Sequence, residues 1–322
     1  MKYIIGAYAT APSLVISDKS LETKFYDNLI DSIPQIRGLE IPFLGEEIHQ
    51  FGSNFLLDII NPNWDNVLTC IPGTMTYLSK QPSFGLASDD SEGRKNAIAM
   101  YKRANIAMKN MNDKYGRRSI IAVQISTSPS IGQKNISSSI DSFLKSLDQI
   151  MSWDWEGAKI VIEHCDRFIP SQSFEKGFMS IEDEVKALSK ISSNYDIGIT
   201  INWARSAIEG RSPNMPIEHL EIAFKNNLLS GLIFSGTSNN DELYGEWKDT
   251  HMPFAQSYNS KYYEYNSLLT LHNIKQTLAC IDIKKLDYLG VKLLSMPIDR
   301  PDIDRRVGVN IDAISILNQA LL

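Results

Sequence analysis

Short apolar runs rich in β-branched residues recur along the chain, and segments with apolar residues at helical spacing lie between them. The clearest run is Lys159 to Ile162, which is apolar enough for a strand that is buried on both faces. The other predicted strands are 3–9, 36–41, 66–71, 119–125, 197–203, 229–234 and 288–295. The predicted helices are 20–33, 55–60, 92–112, 140–151, 181–191, 217–224, 268–281 and 310–321.

Eight strands that alternate with helices predict parallel βαβ units, and a chain of 322 residues is long enough to close them into a (β/α)8 TIM barrel. We therefore expect a single α/β barrel domain over residues 1–322, with a loop insertion at about 239–263 after strand seven. A doubly wound open sheet is the alternative. No GxGxxG follows the first strand, so we expect no nucleotide cofactor.

Composition narrows the class of protein. Hydrophobic residues make up 43% and charged residues 22% of the chain, which is typical of a globular protein. A net charge of -6 argues against a nucleic-acid partner, and no apolar stretch is long enough to span a membrane. Three scattered cysteines indicate neither a disulfide framework nor a zinc knuckle. A cytoplasmic location is the default expectation.

Polar side chains stand where the predicted strands end, and in a barrel the carboxyl ends of all strands meet at one face. The candidates there include Glu40, Gln124 and Glu163. Side chains alternate between the two faces of a strand, so Glu163 and its neighbour His164 cannot both point inward. We expect Glu163 to face the barrel interior and His164 to face outward.

The two carboxylates at strand ends, Glu40 and Glu163, are the first candidates for catalysis. A pair of acids in an enclosed site can hold a divalent cation, or can divide acid and base roles when their environments differ. The alternative is that Glu40 forms a buried structural ion pair with an arginine such as Arg37 or Arg205.

Two further stretches carry candidate ligands. The insertion holds Trp247, Asp249 and His251, in which Asp-x-His can supply an oxygen and an imidazole, and Trp247 can stack on a sugar ring. A surface loop anchored by its aromatic residues is the alternative. Strand six ends in Asn202-Trp203-Ala204-Arg205, which offers an amide, an indole and a guanidinium to a substrate. Arg205 could equally belong to an ion pair.

The sequence also resembles known families. Its motifs GLEIPF, IEHCD and INWARS resemble the xylose-isomerase-like TIM barrels, the superfamily of sugar phosphate isomerases and epimerases. Together with FSGTS and WKDTHMPF, they make nearly the whole chain look like a member of the DUF4862 family.

The broader resemblance implies one divalent metal ion, Mn, Mg, Zn or Co, held by a glutamate, an aspartate, a histidine and a second glutamate on late strands. Glu163 matches the first glutamate, whereas Asn202 stands where the aspartate would be and Ser235 where the histidine would be. Asp249 and His251 follow in the loop, and strand eight offers no glutamate. The implied ligands are therefore Glu163, Asp249 and His251.

The favoured hypothesis is an isomerase or epimerase of a sugar or sugar phosphate that transfers a proton next to a carbonyl. Glu163, Glu40 and His251 would be catalytic, and the expected substrate contacts are Asn202, Arg205, Trp203, Trp247 and Gln124. A carboxylate-dependent carbohydrate hydrolase or lyase and a non-catalytic sugar-binding barrel are the alternatives. The expected partner is a small sugar, and assembly into a homo-oligomer stays open.

Overall fold

Eight parallel strands close into a barrel in chain order in the computed structural model, which describes residues 1–322. The register Ile4↔Gly290 and Ile5↔Val291 joins the first strand to the last. The predicted (β/α)8 fold class is thereby confirmed. The strands are β1 Tyr3–Ile5, β2 Ile36–Pro42, β3 Asn66–Thr69, β4 Ile120–Ile125, β5 Lys159–His164, β6 Ile197–Asn202, β7 Leu229–Phe234 and β8 Tyr288–Val291.

Ten α-helices connect the strands and surround the barrel. Side-chain caps start several of them: Asp18 and Asp90 each accept hydrogen bonds from two backbone N–H groups of the first helical turn. Gly116, at a φ of 61°, ends the longest helix. The helices are α1 Lys19–Ser32, α2 Ser53–Ile59, α3 Ile71–Leu78, α4 Ser91–Tyr115, α5 Ile140–Met151, α6 Ile181–Ser189, α7 Trp203–Gly210, α8 Met215–Lys225, α9 Leu271–Ala279 and α10 Ile303–Ala320.

Two helices, α3 and α7, stand where the sequence pattern predicted only the polar ends of strands three and six. Pro72 lies in the first turn of α3, where its missing N–H costs no hydrogen bond. Helix α7 begins at Trp203, directly after the last residue of β6. Strand eight ends at Val291, earlier than predicted, although Lys292 N still donates to Phe234 O at 3.0 Å.

The apolar core has two layers because strand side chains alternate between inside and outside. A large cluster of 72 buried residues fills the space between strands and helices. Six inward-facing side chains from β1, β3, β4, β5, β7 and β8 pack inside the barrel: Ile4, Val67, Ala122, Val161, Ile233 and Tyr288. None of the helices has the length and hydropathy required to cross a membrane.

Candidate active site at the barrel mouth

Strand β5 sends its last two ionisable side chains in opposite directions. Glu163 points into the barrel, on the side of Val161, and contacts residues from β3, β6 and the end of β8. His164 points outward to the helices and contacts Glu184 of α6. Both side chains are fully buried, so each must find polar partners inside the protein.

Lys292 lies at the centre of the mouth, directly after β8. Its Nζ is 2.5 Å from Glu40 Oε1 and 3.2 Å from Glu163 Oε1, and all three side chains are fully buried. A lysine is almost never fully buried unless it is paired. The closure of β8 onto β1, which in turn pairs with β2, brings Lys292 to Glu40 across 252 positions of sequence (292 − 40).

A second row of ion pairs extends from this centre to the loop after β7. Arg205 Nη1 is 2.7 Å from Glu163 Oε1, and Arg205 Nε is 3.1 Å from Asp249 Oδ2. Lys176 Nζ is 2.9 Å from the same Asp249 oxygen. Counting Glu40 and Lys292, three carboxylates face three cations, and the cluster is neutral when all six are ionised.

The two glutamates differ in how completely they are hydrogen-bonded. Glu163 Oε1 also accepts from Asn202 Nδ2 at 3.1 Å, and Oε2 accepts from Thr69 Oγ1 at 3.2 Å. With its nitrogen turned toward the acids, the Gln124 amide donates to Glu163 Oε2 at 3.1 Å and Glu40 Oε1 at 3.2 Å. Glu40 Oε2 is buried and has no partner. Glu40 is therefore the glutamate that keeps an unused hydrogen-bond acceptor.

The same surroundings separate the acidities of the two glutamates. Burial raises the pKa of Glu40 to about 7, although Lys292 opposes that rise. Burial acts on Glu163 as well, but Arg205, Lys292 and the Asn202 amide together lower its pKa to about 2. Burial by itself would lower the pKa of Lys292, yet Glu163 and Glu40 raise it. Two carboxyls with diverging pKa values are typical of a divided acid–base pair.

His251 lies at the edge of this cluster, in a backbone conformation with a φ of 54°. Its Nδ1 is 2.8 Å from Ser235 Oγ and 3.4 Å from Asp249 Oδ1. Burial lowers the pKa of His251 to about 3 despite Asp249, so the imidazole is neutral at pH 7. Its Nε2 makes no hydrogen bond within the protein and is free to contact a hydroxyl.

The predicted metal ligands Glu163, Asp249 and His251 do not fit a divalent ion in this arrangement. Arg205 already bridges Glu163 and Asp249, and Lys292 contacts the same Glu163 oxygen. An ion bound by these carboxylates would therefore lie against two fixed positive charges. Asp249 Oδ1 has no hydrogen-bond partner, so the misfit lies at Glu163, where Arg205 and Lys292 already contact the carboxylate.

The side chains of the two predicted tryptophan contacts, Trp203 and Trp247, have partners outside the charged cluster. Trp203 is buried against the helices, and its Nε1 donates to Thr277 of α9 at 3.0 Å. Trp247 stacks with Arg211, whose guanidinium carbon is 5.5 Å from the ring centroid. Of the predicted substrate contacts, the structure gathers Gln124, Asn202 and Arg205 around Glu163, but neither indole.

A cavity of about 190 Å³ lies above β1 and β2 and is lined in part by Tyr8, Pro42 and Leu44. Tyr8 lines this cavity and also lies beside the cluster, with its ring centroid 5.8 Å from Lys292 Nζ. Pro42 ends the strand that carries Glu40 two residues earlier.

Lys292, Lys176 and Tyr8 were not predicted from the sequence. One signal was available for Lys292: it is a single charge within the apolar run YLGVKLL, at the end of the predicted strand eight. A lone lysine in such a run must be paired inside the protein. Lys176 lies in the connection after β5 and Tyr8 in the one after β1, and no local sequence pattern distinguishes either residue.

The outer side of β5 carries a second polar cluster. His164, Glu209 of α7 and His219 of α8 are buried, and their ligand atoms lie within 4.8 Å of one another. Burial by itself lowers the pKa of His164, but Glu184 and Glu209 raise it to about 10. No chemistry was predicted for this group from the sequence.

A sequence model of the family described as a domain of unknown function, DUF4862, matches residues 4–309. Uncharacterized protein STM3670 of Salmonella typhimurium is 36% identical over 318 residues, which cover 99% of this chain and 97% of that protein.

Two solved structures share the fold. D-psicose 3-epimerase from Clostridium cellulolyticum H10, solved with D-tagatose, has a TM-score of 0.59 at 13% identity, covering 100% of this chain and 99% of its own. IOLI protein with a binding zinc atom has a TM-score of 0.58 at 11% identity, covering 99% of both chains.

Proposed function

The chain belongs to the DUF4862 family, and we propose that its barrel mouth transfers a proton next to the carbonyl of a sugar or sugar phosphate, as an isomerase or epimerase does. The observation that carries the proposal is Glu40, a buried carboxyl with a pKa raised to about 7 and a free Oε2, held beside a buried ammonium. A general base works best when its pKa is near the working pH.

Glu40 is the group that takes the proton. The C–H bond next to the carbonyl breaks, its electron pair forms the double bond of an enediolate, and the carbonyl oxygen gains the negative charge. Return of the proton from Glu40 to the neighbouring carbon gives an isomer, provided that the hydroxyl proton of the enediolate moves to the former carbonyl oxygen. Protonation of the original carbon on its other face by water gives an epimer, and Glu40 then releases its proton to the hydroxide that is left.

Lys292 stabilises the oxygen that gains charge. Its raised pKa keeps it an ammonium, which can donate hydrogen bonds but cannot act as a nucleophile. Fixed positive charge aimed at a developing oxyanion commonly contributes more to such catalysis than any other single effect. Glu163, ionised and saturated with donors, holds Lys292 in place, while Nε2 of the neutral His251 is placed to bind a substrate hydroxyl.

The structural likeness supports sugar chemistry for this site. D-psicose 3-epimerase, solved with D-tagatose, shares the fold over nearly the full length of both chains. Lys292 and Arg205 both contact Glu163 Oε1, the carboxylate that the resemblance makes a metal ligand, so we propose that proton transfer at the mouth needs no divalent ion.

The test is hydrogen exchange in D2O with a panel of ketoses, aldoses and their phosphates, followed by NMR at the carbon next to the carbonyl. Wild type is expected to exchange that proton with at least one sugar. Glu40→Gln should slow exchange by about 10²- to 10⁴-fold, which is the usual contribution of a general base. Glu242→Gln, at an exposed glutamate of the loop after β7, is the matched control.

Full exchange by Glu40→Gln would exclude the proposed base. Binding of a sugar without exchange or conversion by wild type would instead indicate a sugar-binding barrel without catalytic activity.

A further inference from the structure

We propose that His164, Glu209 and His219 form a zinc site on the outer side of β5, separate from the barrel mouth. The three residues come from β5, α7 and α8, and their side chains are between 0% and 3% exposed. They play no part in the proposed proton transfer, so this inference does not depend on that function.

The spacing of the ligand atoms suits a shared metal better than direct hydrogen bonds. Glu209 Oε2 is 3.5 Å from His164 Nε2, and Glu209 Oε1 is 3.5 Å from His219 Nε2. Hydrogen bonds of this kind are normally about 2.7–3.2 Å. Ligands bound to one tetrahedral zinc ion at about 2.0–2.1 Å lie roughly 3.4 Å apart. His164 Nε2 is buried and has no hydrogen-bond partner.

The other ring nitrogen of each histidine is already held, as is typical of metal-binding histidines. His164 Nδ1 is 2.8 Å from Glu184 Oε2, and Glu184 Oε1 accepts from Thr127 at 2.8 Å. His219 Nδ1 is 2.9 Å from Ser206 Oγ. These contacts turn both Nε2 atoms toward Glu209, and two imidazoles with one carboxylate are a ligand set that zinc uses.

Arg167 covers the cluster and marks the entry path. Its Nε is 3.0 Å from Glu209 Oε1, but its side chain is 43% exposed and can swing into solvent. The Arg167 backbone N–H donates to Glu209 Oε2 at 2.9 Å and would keep that carboxylate oriented. An incoming ion would thus replace a partly exposed surface cation, in contrast with the buried Lys292 at the mouth.

Zinc bound there would join one strand to two helices, so binding should be measurable as stability. We expect protein purified without chelator and titrated with ZnCl2 to bind one equivalent by elemental analysis after desalting, with a rise in Tm. Co²⁺ in place of zinc should give the visible absorption of a site with nitrogen and oxygen ligands.

Matched variants locate the ion. His219→Ala should abolish the zinc-dependent rise in Tm. Ser206→Ala removes the hydroxyl that holds Nδ1 of the ligand His219, and it should weaken zinc affinity by about 10- to 100-fold. His272→Ala, at an exposed histidine, and His251→Ala, at the mouth, should bind as wild type does. Arg167→Ala should bind zinc more tightly, because Glu209 is freed.

Three results would overturn the site: no bound zinc in wild type and Arg167→Ala alike, equal binding in His219→Ala and wild type, or loss of binding in His251→Ala alone. The first would leave His164 and Glu209 as a plain ion-pair network. The last would move the ion to the barrel mouth.

Discussion

Each side of β5 buries one ionisable side chain, Glu163 inside and His164 outside, and the two side chains differ in their partners. On the inner side, Glu163 pairs with two cations and accepts hydrogen bonds from Asn202, from Thr69 and, with its amide nitrogen turned toward the acids, from Gln124. On the outer side, His164 has a partner for Nδ1 and none for Nε2. Both faces carry counter-charges, but only the outer face leaves a buried ring nitrogen without a hydrogen bond.

This difference separates two kinds of electrostatic site. At the mouth, Lys292 and Arg205 are fixed by burial and by contacts with two carboxylates each. Preorganised charges of this kind stabilise a transition state without rearrangement of the protein. On the outer side of β5, Glu209 contacts one cation apart from the two histidines. That cation is Arg167, whose side chain is partly exposed. The two proposals differ accordingly: the mouth would use the cations of the chain itself, and the outer cluster would bind an exchangeable cation.

The largest expected effect comes from removing the central cation of the mouth. Lys292→Met leaves Glu40 and Glu163 buried without their shared partner, so we expect the free energy of unfolding to fall by about 3–5 kcal/mol. Urea denaturation at pH 7 measures the change. Lys284→Met, at an exposed lysine, should stay within about 0.5 kcal/mol of wild type.

A second substitution sharpens this test. Glu40→Gln combined with Lys292→Met removes one of the stranded charges and should recover part of the lost stability. A Lys292→Met protein as stable as wild type would mean that the inner cluster is not held by this ammonium.

Metal removal should affect the two sides differently. With zinc at 100 times its dissociation constant, binding stabilises the folded state by about 2.7 kcal/mol, and EDTA should abolish that gain. Proton exchange at the mouth should be unchanged by EDTA. Thermal unfolding and D2O exchange measured on the same samples check both. If proton exchange at the mouth fell with EDTA and returned with zinc, the mouth would depend on a metal ion, and that ion would lie at Glu163.

The pH dependence of stability should show the raised pKa of Glu40. Folded Glu40 keeps its proton between its ordinary pKa of 4.5 and about 7, whereas the unfolded chain releases it. Its stabilising contribution is therefore full below about pH 4.5 and is lost as pH rises through 7. From pH 5 to 7, wild type should lose about 2 kcal/mol more than Glu40→Gln.

The opposite shift of Glu163 acts at lower pH. Its pKa is lowered to about 2, so its contribution is present above 4.5 and is lost as pH falls toward 2. Urea unfolding of wild type and Glu40→Gln at several pH values separates the contribution of Glu40 from that of Glu163. Parallel curves for wild type and Glu40→Gln would show that Glu40 titrates normally.

The fold and the placement of Glu40 and Glu163 could be predicted because both follow from local patterns. Apolar runs set the strands, strand ends set the mouth, and the two-residue repeat of a strand turned Glu163 inward and His164 outward. The residues that follow from long-range register could not be found in this way. Lys292 meets Glu40 only because the barrel closes through β1.

The outer cluster was missed for a related reason. Glu209 reaches His164 because α7 begins immediately after β6, and that helix was not predicted. His219 then approaches through the packing of α8 against α7. The substrate contact predicted at Trp203 has the same cause. Trp203 is the first residue of the unpredicted helix α7, and its indole points to α9.

The smallest expected effect tests the neutral donors of the mouth. Thr69→Val removes the hydroxyl that donates to Glu163 Oε2 at 3.2 Å and keeps the shape of the side chain. Because Gln124 can still donate to the same oxygen, we expect a loss of about 1 kcal/mol in the free energy of unfolding. Thr76→Val, whose hydroxyl bonds to the Pro72 carbonyl on the surface of α3, is the matched control by urea denaturation. A loss no larger than that of the control would show that the cations alone hold Glu163.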